Sequence, residues 1–253
     1  MSKNFELMHD AQIGLDIPAI GEPKTSSATK NGRRNGNSIQ LNWQDGGSPE
    51  ESLKLVQSLF LSRGEGSARV VVFAGIDSGN GCSCICAHAA ETLANQRLGS
   101  VCLVDGNFRS PVLPDLFGVG NHYGLTDALS KSGSIRDFAK IVRPDNLWLL
   151  SCGSLAAESA GLLNSGSMKA RVAELRKEFD YVLLDSPPLN TYADGIAMGQ
   201  LADGLVLVLE ANSTRREAAA RVTENLRAAQ IKILGAVLNK RTFPIPESFY
   251  NLL

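Results

Sequence analysis

A three-layer α/β fold, a mainly parallel sheet with helices on both faces, follows from three observations along this 253-residue chain. Strand-like runs rich in Val, Ile and Leu recur at 69–74, 101–105, 147–151, 181–185, 204–210 and 233–238. Amphipathic helical patterns fall between most of them, notably over 82–96, 167–178 and 214–229. Continuous apolar strands alternating with such helices indicate parallel strands, because the crossover helices cover both faces of the sheet. The third observation is that the first run leads directly into a glycine-bearing loop, GIDSGNGCSC at 75–84, and then into a helix. Strand, glycine loop and helix N-terminus together make a phosphate-binding unit, since backbone N–H groups and the helix dipole both face an anion.

Composition bounds the rest. With 43% hydrophobic and 20% charged residues, the chain can bury one sizeable core and still carry an arm. A net charge of −1 supplies no basic field for nucleic acid, so no nucleic-acid partner is expected. The chain begins MSKNFELMHD, polar and mixed in charge, and no long uncharged apolar run follows. The expectation is a cytoplasmic protein, brought to the inner face of the membrane only by a partner. Five cysteines, Cys82, Cys84, Cys86, Cys102 and Cys152, sit in strands and helix starts rather than framing loops, which reads as reduced thiols.

Taken in order, residues 1–20 carry a weak amphipathic pattern (Phe5, Leu7, Met8, Ile13, Leu15, Ile17) suited to docking on a partner or on the body of the protein. From 21 to 47 the composition turns to Pro, Ser, Thr, Asn, Gly, Lys and Arg, too apolar-poor to offset its ordering entropy. The expected organisation is therefore a flexible arm and linker over 1–47, a folded domain over 48–241 and a C-terminal tail over 242–253. SPEESLKLVQSLFL at 48–61 opens with Ser48, Pro49 and two acids, an N-cap signal, and continues as an amphipathic helix.

Ligands of parallel sheets lie outside the carboxyl ends of the strands. Besides the glycine loop, two other strands end there in carboxylates: Asp105 in VDGNFRSP and Asp185 in LLDSPP. Hard oxygens of this kind, with the hydroxyl of Ser83, suit magnesium. In a working P-loop the residue after the last glycine is a lysine that reaches the β- and γ-phosphates. Here it is Cys82. The loop layout of Gly79, Asn80, Gly81, Cys82, Ser83 and Cys84 is otherwise retained.

From about 51 to 241 the chain resembles the bacterial tyrosine kinases (BY-kinases) of capsule and exopolysaccharide assembly, the CpsD/CapB type, relatives of the MinD/ParA ATPases. The family loop S-x-x-P-G-E-G-K-S-T aligns with 75–84. Its D-x-D-x-R-x-P motif appears as Asp105, Asn107, Arg109 and Pro111, followed by LFG at 116–118 and GLTDAL at 124–129. Its Walker B appears as FDYVLLDSPP at 179–188, and Asp194, LADGLVLVLEANST and GAVLNK also match. The resemblance implies ATP or ADP with Mg²⁺ as cofactor, held by residues 79–84, Arg109 and Asn239, the last in the adenine-recognition position. It assigns the ion to Ser83, Asp105 and Asp185, and a catalytic part to Asp105.

The departures fall at the charged positions: Cys82 for lysine, Asn107 for the second acid, Ser78 and Asn80 for the loop proline and glutamate, and Cys84 for threonine. Losing a charged hydrogen bond to phosphate weakens affinity by roughly 1.5–3 kcal/mol, about ten- to a hundredfold. Removing one preorganised charge-stabilising donor costs on the order of 10²–10³ in rate in comparable sites. Glu51, Lys54 and Gln57 align with the family's E-x-x-R-x-x-R ring-assembly helix, only the first matching. The family's C-terminal tyrosine cluster is reduced to Tyr250.

The expected function is a degenerate BY-kinase-like protein with weak or no ATP turnover, a pseudo-kinase subunit in exopolysaccharide synthesis. Its expected partners are a membrane-bound polysaccharide chain-length regulator, an active homologue, or further copies of itself. One alternative is an active autokinase or ATPase with a relocated cation, for which Arg109 is a candidate. Another is a redox switch through Cys82, whose pKa a helix N-terminus would lower. A metal cluster on CSCIC is disfavoured, because cysteines two apart on a helix point about 200° from each other.

Overall fold

A computed structural model describes residues 4–8, 48–61, 67–143, 146–154 and 166–241. Eight strands form one sheet: β1 (Asn4–Met8), β2 (Val70–Gly75), β3 (Val101–Asp105), β4 (Lys140–Arg143), β5 (Leu147–Leu150), β6 (Tyr181–Ser186), β7 (Gly204–Glu210) and β8 (Ile233–Arg241). Their order across the sheet is β1-β8-β7-β2-β6-β3-β5-β4. The six inner strands run parallel, and the two edge strands, β1 beside β8 and β4 beside β5, are antiparallel.

The six expected strands are the six parallel ones. Sequence reasoning missed both edges, and for one reason: an edge strand is half covered and short, so it lacks the continuous apolar run of a central strand. β4 (KIVR) is four residues with charges at both ends. β1 comes from the amphipathic stretch near the start of the chain, which here adds to the body of the protein along β8.

Period two along each strand divides the core between two faces. Val70, Val72 and Ala74 point to one side and Val71 and Phe73 to the other, all fully buried. The second side is covered by α1 (Pro49–Phe60), α2 (Cys82–Asn95) and the short α3 (Leu113–Leu116), through Leu55, Val56, Phe60, Ile85 and Leu93. The first is covered by α4 (Leu125–Ser130), α5 (Ile135–Phe138), α6 (Gly166–Glu178), α7 (Asp194–Gly199) and α8 (Arg216–Ala228). These are the three layers expected from the alternation of strands and helices.

Helix α1 begins in a full capping box: Ser48 Oγ accepts from Glu51 N–H at 3.3 Å and Glu51 Oε2 accepts from Ser48 N–H at 2.8 Å. Such a box satisfies two orphan donors reciprocally. Glu51, the one matching residue of the aligned ring-assembly motif, is thus engaged in capping its own helix. Lys54 and Gln57 are exposed. Tyr250 and the C-terminal tail, with most of the arm, lie outside the described residues. Among the described residues no helix is long and apolar enough to cross a membrane.

Candidate phosphate and metal site

Parallel register brings the chemistry-bearing residues to one rim. Phe73 on β2 is paired with Asp185 on β6, and Asp185 in turn with Asp105 on β3. The glycine loop follows the end of β2 at Gly75, and its last residues, Cys82 and Ser83, meet Asp185. Asp105 and Asp185 are wholly buried. Ser83, in the first turn of α2, donates from Oγ to Asp185 Oδ2 at 2.5 Å. Asp105 accepts from the Asn107 and Leu113 N–H groups, each at 3.2 Å.

Two buried carboxylates side by side resist being charged together. Burial, opposed by hydrogen bonds from Ser83 and Cys82, pushes Asp185 up to about 7. Burial and then the neighbouring Asp185 raise Asp105 well above the usual carboxylate range, against its backbone hydrogen bonds. In the ordinary P-loop an ammonium would stand among these groups. Here the Cys82 thiol faces Asp185 instead, and burial, then Asp185 and then Cys86 hold it protonated. The helix N-terminus does not win at this position. The expectation of a lowered Cys82 pKa is therefore corrected: the half-buried thiol would ionise beside a buried carboxylate.

The residues fit a hard divalent cation. Asp185 Oδ1 is buried without a hydrogen-bond partner among the described residues. It adjoins a serine hydroxyl on one side and a second carboxylate on the other, an all-oxygen set of the kind Mg²⁺ takes. Among the described residues no three His, Cys, Asp or Glu side chains are gathered as a metal cage. Ser83, Asp105 and Asp185 would hold the cation, and it would neutralise phosphate charge.

The loop itself is held from outside. Asn80, which replaces the family's glutamate, is buried; its Oδ1 accepts from Asp77 N–H and its Nδ2 donates to Thr214 Oγ1, both at 3.0 Å. Asn239 Nδ2 donates to the Asn80 carbonyl at 2.7 Å. Lys240 Nζ donates to the Gly79 carbonyl at 2.6 Å and pairs with Glu210 at 3.2 Å. The segment after β6 closes the other flank, where Leu189 N–H donates to Gly75 O at 2.9 Å and Asn190 Nδ2 to Asp77 Oδ1 at 2.7 Å. A pocket of about 250 Å³ opens beside the loop between the ends of β7 and β8, lined in part by Glu210, Asn212, Thr214 and Arg241.

The structure thus brings Cys82, Ser83, Asp105 and Asp185 together, and sets Gly79, Asn80 and Asn239 in a second group behind them. Gly81 is the N-cap of α2 in the left-handed region, with φ of 81°, and Cys84 is half-buried one residue past Ser83. Asn107 serves as a turn former: its Oδ1 accepts from Arg109 N–H at 3.3 Å and Ser110 N–H at 3.2 Å. Arg109 stands elsewhere on the rim, its guanidinium 3.4 Å from Asp194 and 4.7 Å from the ring centre of Tyr192. Lys240, Thr214 and Asn190 escaped sequence reasoning. Lys240 and Thr214 had a signal, as the last residues of GAVLNK and LADGLVLVLEANST, and Asn190 had none.

A phosphate-binding loop over a buried acid pair, on a mainly parallel sheet between two helical layers, defines a P-loop protein. No family model matches the chain. It is 34% identical over 161 residues to the tyrosine-protein kinase YwqD of Bacillus subtilis, an alignment spanning 64% of this chain and 68% of that one. The chain belongs to the bacterial tyrosine-kinase family. Its fold is similar to that of the chimerical protein CapA2B2, at a TM-score of 0.71 and 23% identity over 77% of this chain and 85% of the other. It is also similar, at 0.56 and 19% identity over 66% and 68%, to the septum site-determining protein MinD of Pyrococcus horikoshii, solved with Mg-ADP.

Proposed function

We propose that this chain is a pseudo-kinase of the family: it binds Mg·nucleotide weakly in the cradle of residues 79–84 and has lost efficient phosphoryl transfer. One observation carries the reading. Where the transferred phosphate needs an ammonium, the loop carries Cys82, whose thiol meets Asp185. Phosphoryl transfer is mostly positioning and charge stabilisation, so a missing cation removes a main part of the catalysis. Arg109, the candidate for a relocated cation, is engaged by Asp194 and Tyr192. A scaffold that keeps its shape without turnover is suited to an interaction role. We assign it to exopolysaccharide synthesis, acting in the cytoplasm on a membrane-bound chain-length regulator or an active homologue.

The test is direct. Purified chain with Mg·ATP is followed for phosphate release and phosphotyrosine, beside its Cys82→Lys variant. Wild-type turnover on the order of 10²–10³ below that of the variant is the expected result. Equal, rapid turnover in both would make the chain a catalyst.

A further inference from the structure

The outer side of the loop carries contacts that the nucleotide reading leaves unused. Two consecutive carbonyls, Gly79 and Asn80, are turned toward the end of β8 and held, the first by the Lys240 ammonium at 2.6 Å and the second by the buried Asn239 amide at 2.7 Å. Among the described residues every peptide is trans. A trans peptide is planar with N–H opposed to C=O, so the amides paired with these carbonyls, Asn80 N–H and Gly81 N–H, face the opposite side. Gly79 and Gly81 have φ of 83° and 81°, while Asn80 between them does not share that left-handed conformation. Alternating handedness makes successive N–H groups converge into an anion-binding nest. Among the described residues neither amide has a hydrogen-bond partner.

Lys240 is set in place for this contact. Its backbone is left-handed, with φ of 58°, at the end of a strand. That conformation disfavours a side chain with a Cβ, and it persists only where surrounding contacts impose it. Asn239 Oδ1 accepts from Lys240 N–H at 2.8 Å, and Glu210 holds the ammonium from its other side at 3.2 Å.

We propose that Lys240 supplies from outside the loop part of the positive charge that Cys82 no longer supplies from inside. Its ammonium polarises the Gly79–Asn80 peptide and aligns the Asn80 and Gly81 amides on a polyphosphate, whether the tail of a nucleotide or free pyrophosphate. Because it meets a carbonyl rather than the phosphate, Lys240 is a positioning residue. The inference rests on the loop being the phosphate site described under the proposed function.

Equilibrium binding of fluorescent ATP to the full chain, with pyrophosphate and adenosine as competitors, tests it in wild type, Lys240→Arg, Lys240→Gln and Lys240→Met. Thermal melting of each variant checks the fold. Lys240→Arg should stay within about twofold of wild type, while Gln and Met weaken ATP and pyrophosphate about three- to tenfold and leave adenosine unchanged. Lys240→Gln keeps a donor for Gly79 but no charge, so wild-type affinity in that folded variant overturns the proposal. Equal loss of adenosine and pyrophosphate binding also overturns it, by moving Lys240's effect to the base pocket or the fold. If wild type binds none of ATP, ADP and pyrophosphate, the phosphate-site reading fails as well. That outcome is distinct, because every variant is then equally silent.

Discussion

Asp105 and Asp185 are register partners on adjacent parallel strands, and neither exposes any surface. Side chains of register partners project from the same face of a sheet. Two buried acids thereby share one pocket whose usual ammonium has become Cys82.

The pair makes stability depend on pH. Unfolded, Asp185 titrates near its ordinary value of about 4; folded, burial pushes it up to about 7, with Asp105, Ser83, Cys82 and Cys86 around it. Between those values the native state holds a proton that the unfolded chain has released, so stability falls as pH rises through the window. The slope is on the order of 1 kcal/mol per pH unit. Urea midpoints should be lower at pH 8 than at pH 5, and Asp185→Asn should flatten the difference. A wild-type midpoint unchanged or higher at pH 8 would contradict the raised carboxyl.

Restoring the ammonium should reverse both defects. Cys82→Lys places a cation beside Asp185, lowering the cost of charging it and giving bound phosphate a partner. Affinity for fluorescent Mg·ATP should rise about ten- to a hundredfold, and the fall in stability toward pH 8 should shrink. Unaltered affinity in a folded variant would mean that the cradle has lost more than its charge.

Gly106 lies directly after Asp105 and donates its N–H to the Asp185 carbonyl at 3.0 Å. A Cβ there would come within 2.8 Å of that same backbone oxygen and 2.7 Å of Met198 Sδ. Backbone cannot yield as a flexible side chain does, so Gly106→Ala should cost about 1–3 kcal/mol in urea unfolding. Gly166→Ala at the start of α6, where a Cβ meets nothing within 4 Å, should leave stability equal or slightly higher.

Much of this protein was legible in the sequence because the information is local. Apolar runs, helical periodicity and the strand-loop-helix unit at 69–96 determined six parallel strands, two helical layers and the rim on which Ser83, Asp105 and Asp185 stand. Hydrophobic periodicity is written into each segment, and a parallel sheet leaves its ligand rim no other place. Substitution at Cys82 was equally visible, since it concerns one residue in a known spacing.

Only the tertiary structure decided what depends on neighbours distant in the chain. Lys240 reaches Gly79 across 161 positions, Asn239 reaches Asn80 across 159, and Arg109 turns to Asp194 rather than to the loop. The thiol of Cys82 is the clearest case: its place at a helix start favours a low pKa, and its half-buried position against Asp185 raises it. Desolvation and the field of a buried carboxylate are properties of the packed interior, and no local stretch of sequence contains them.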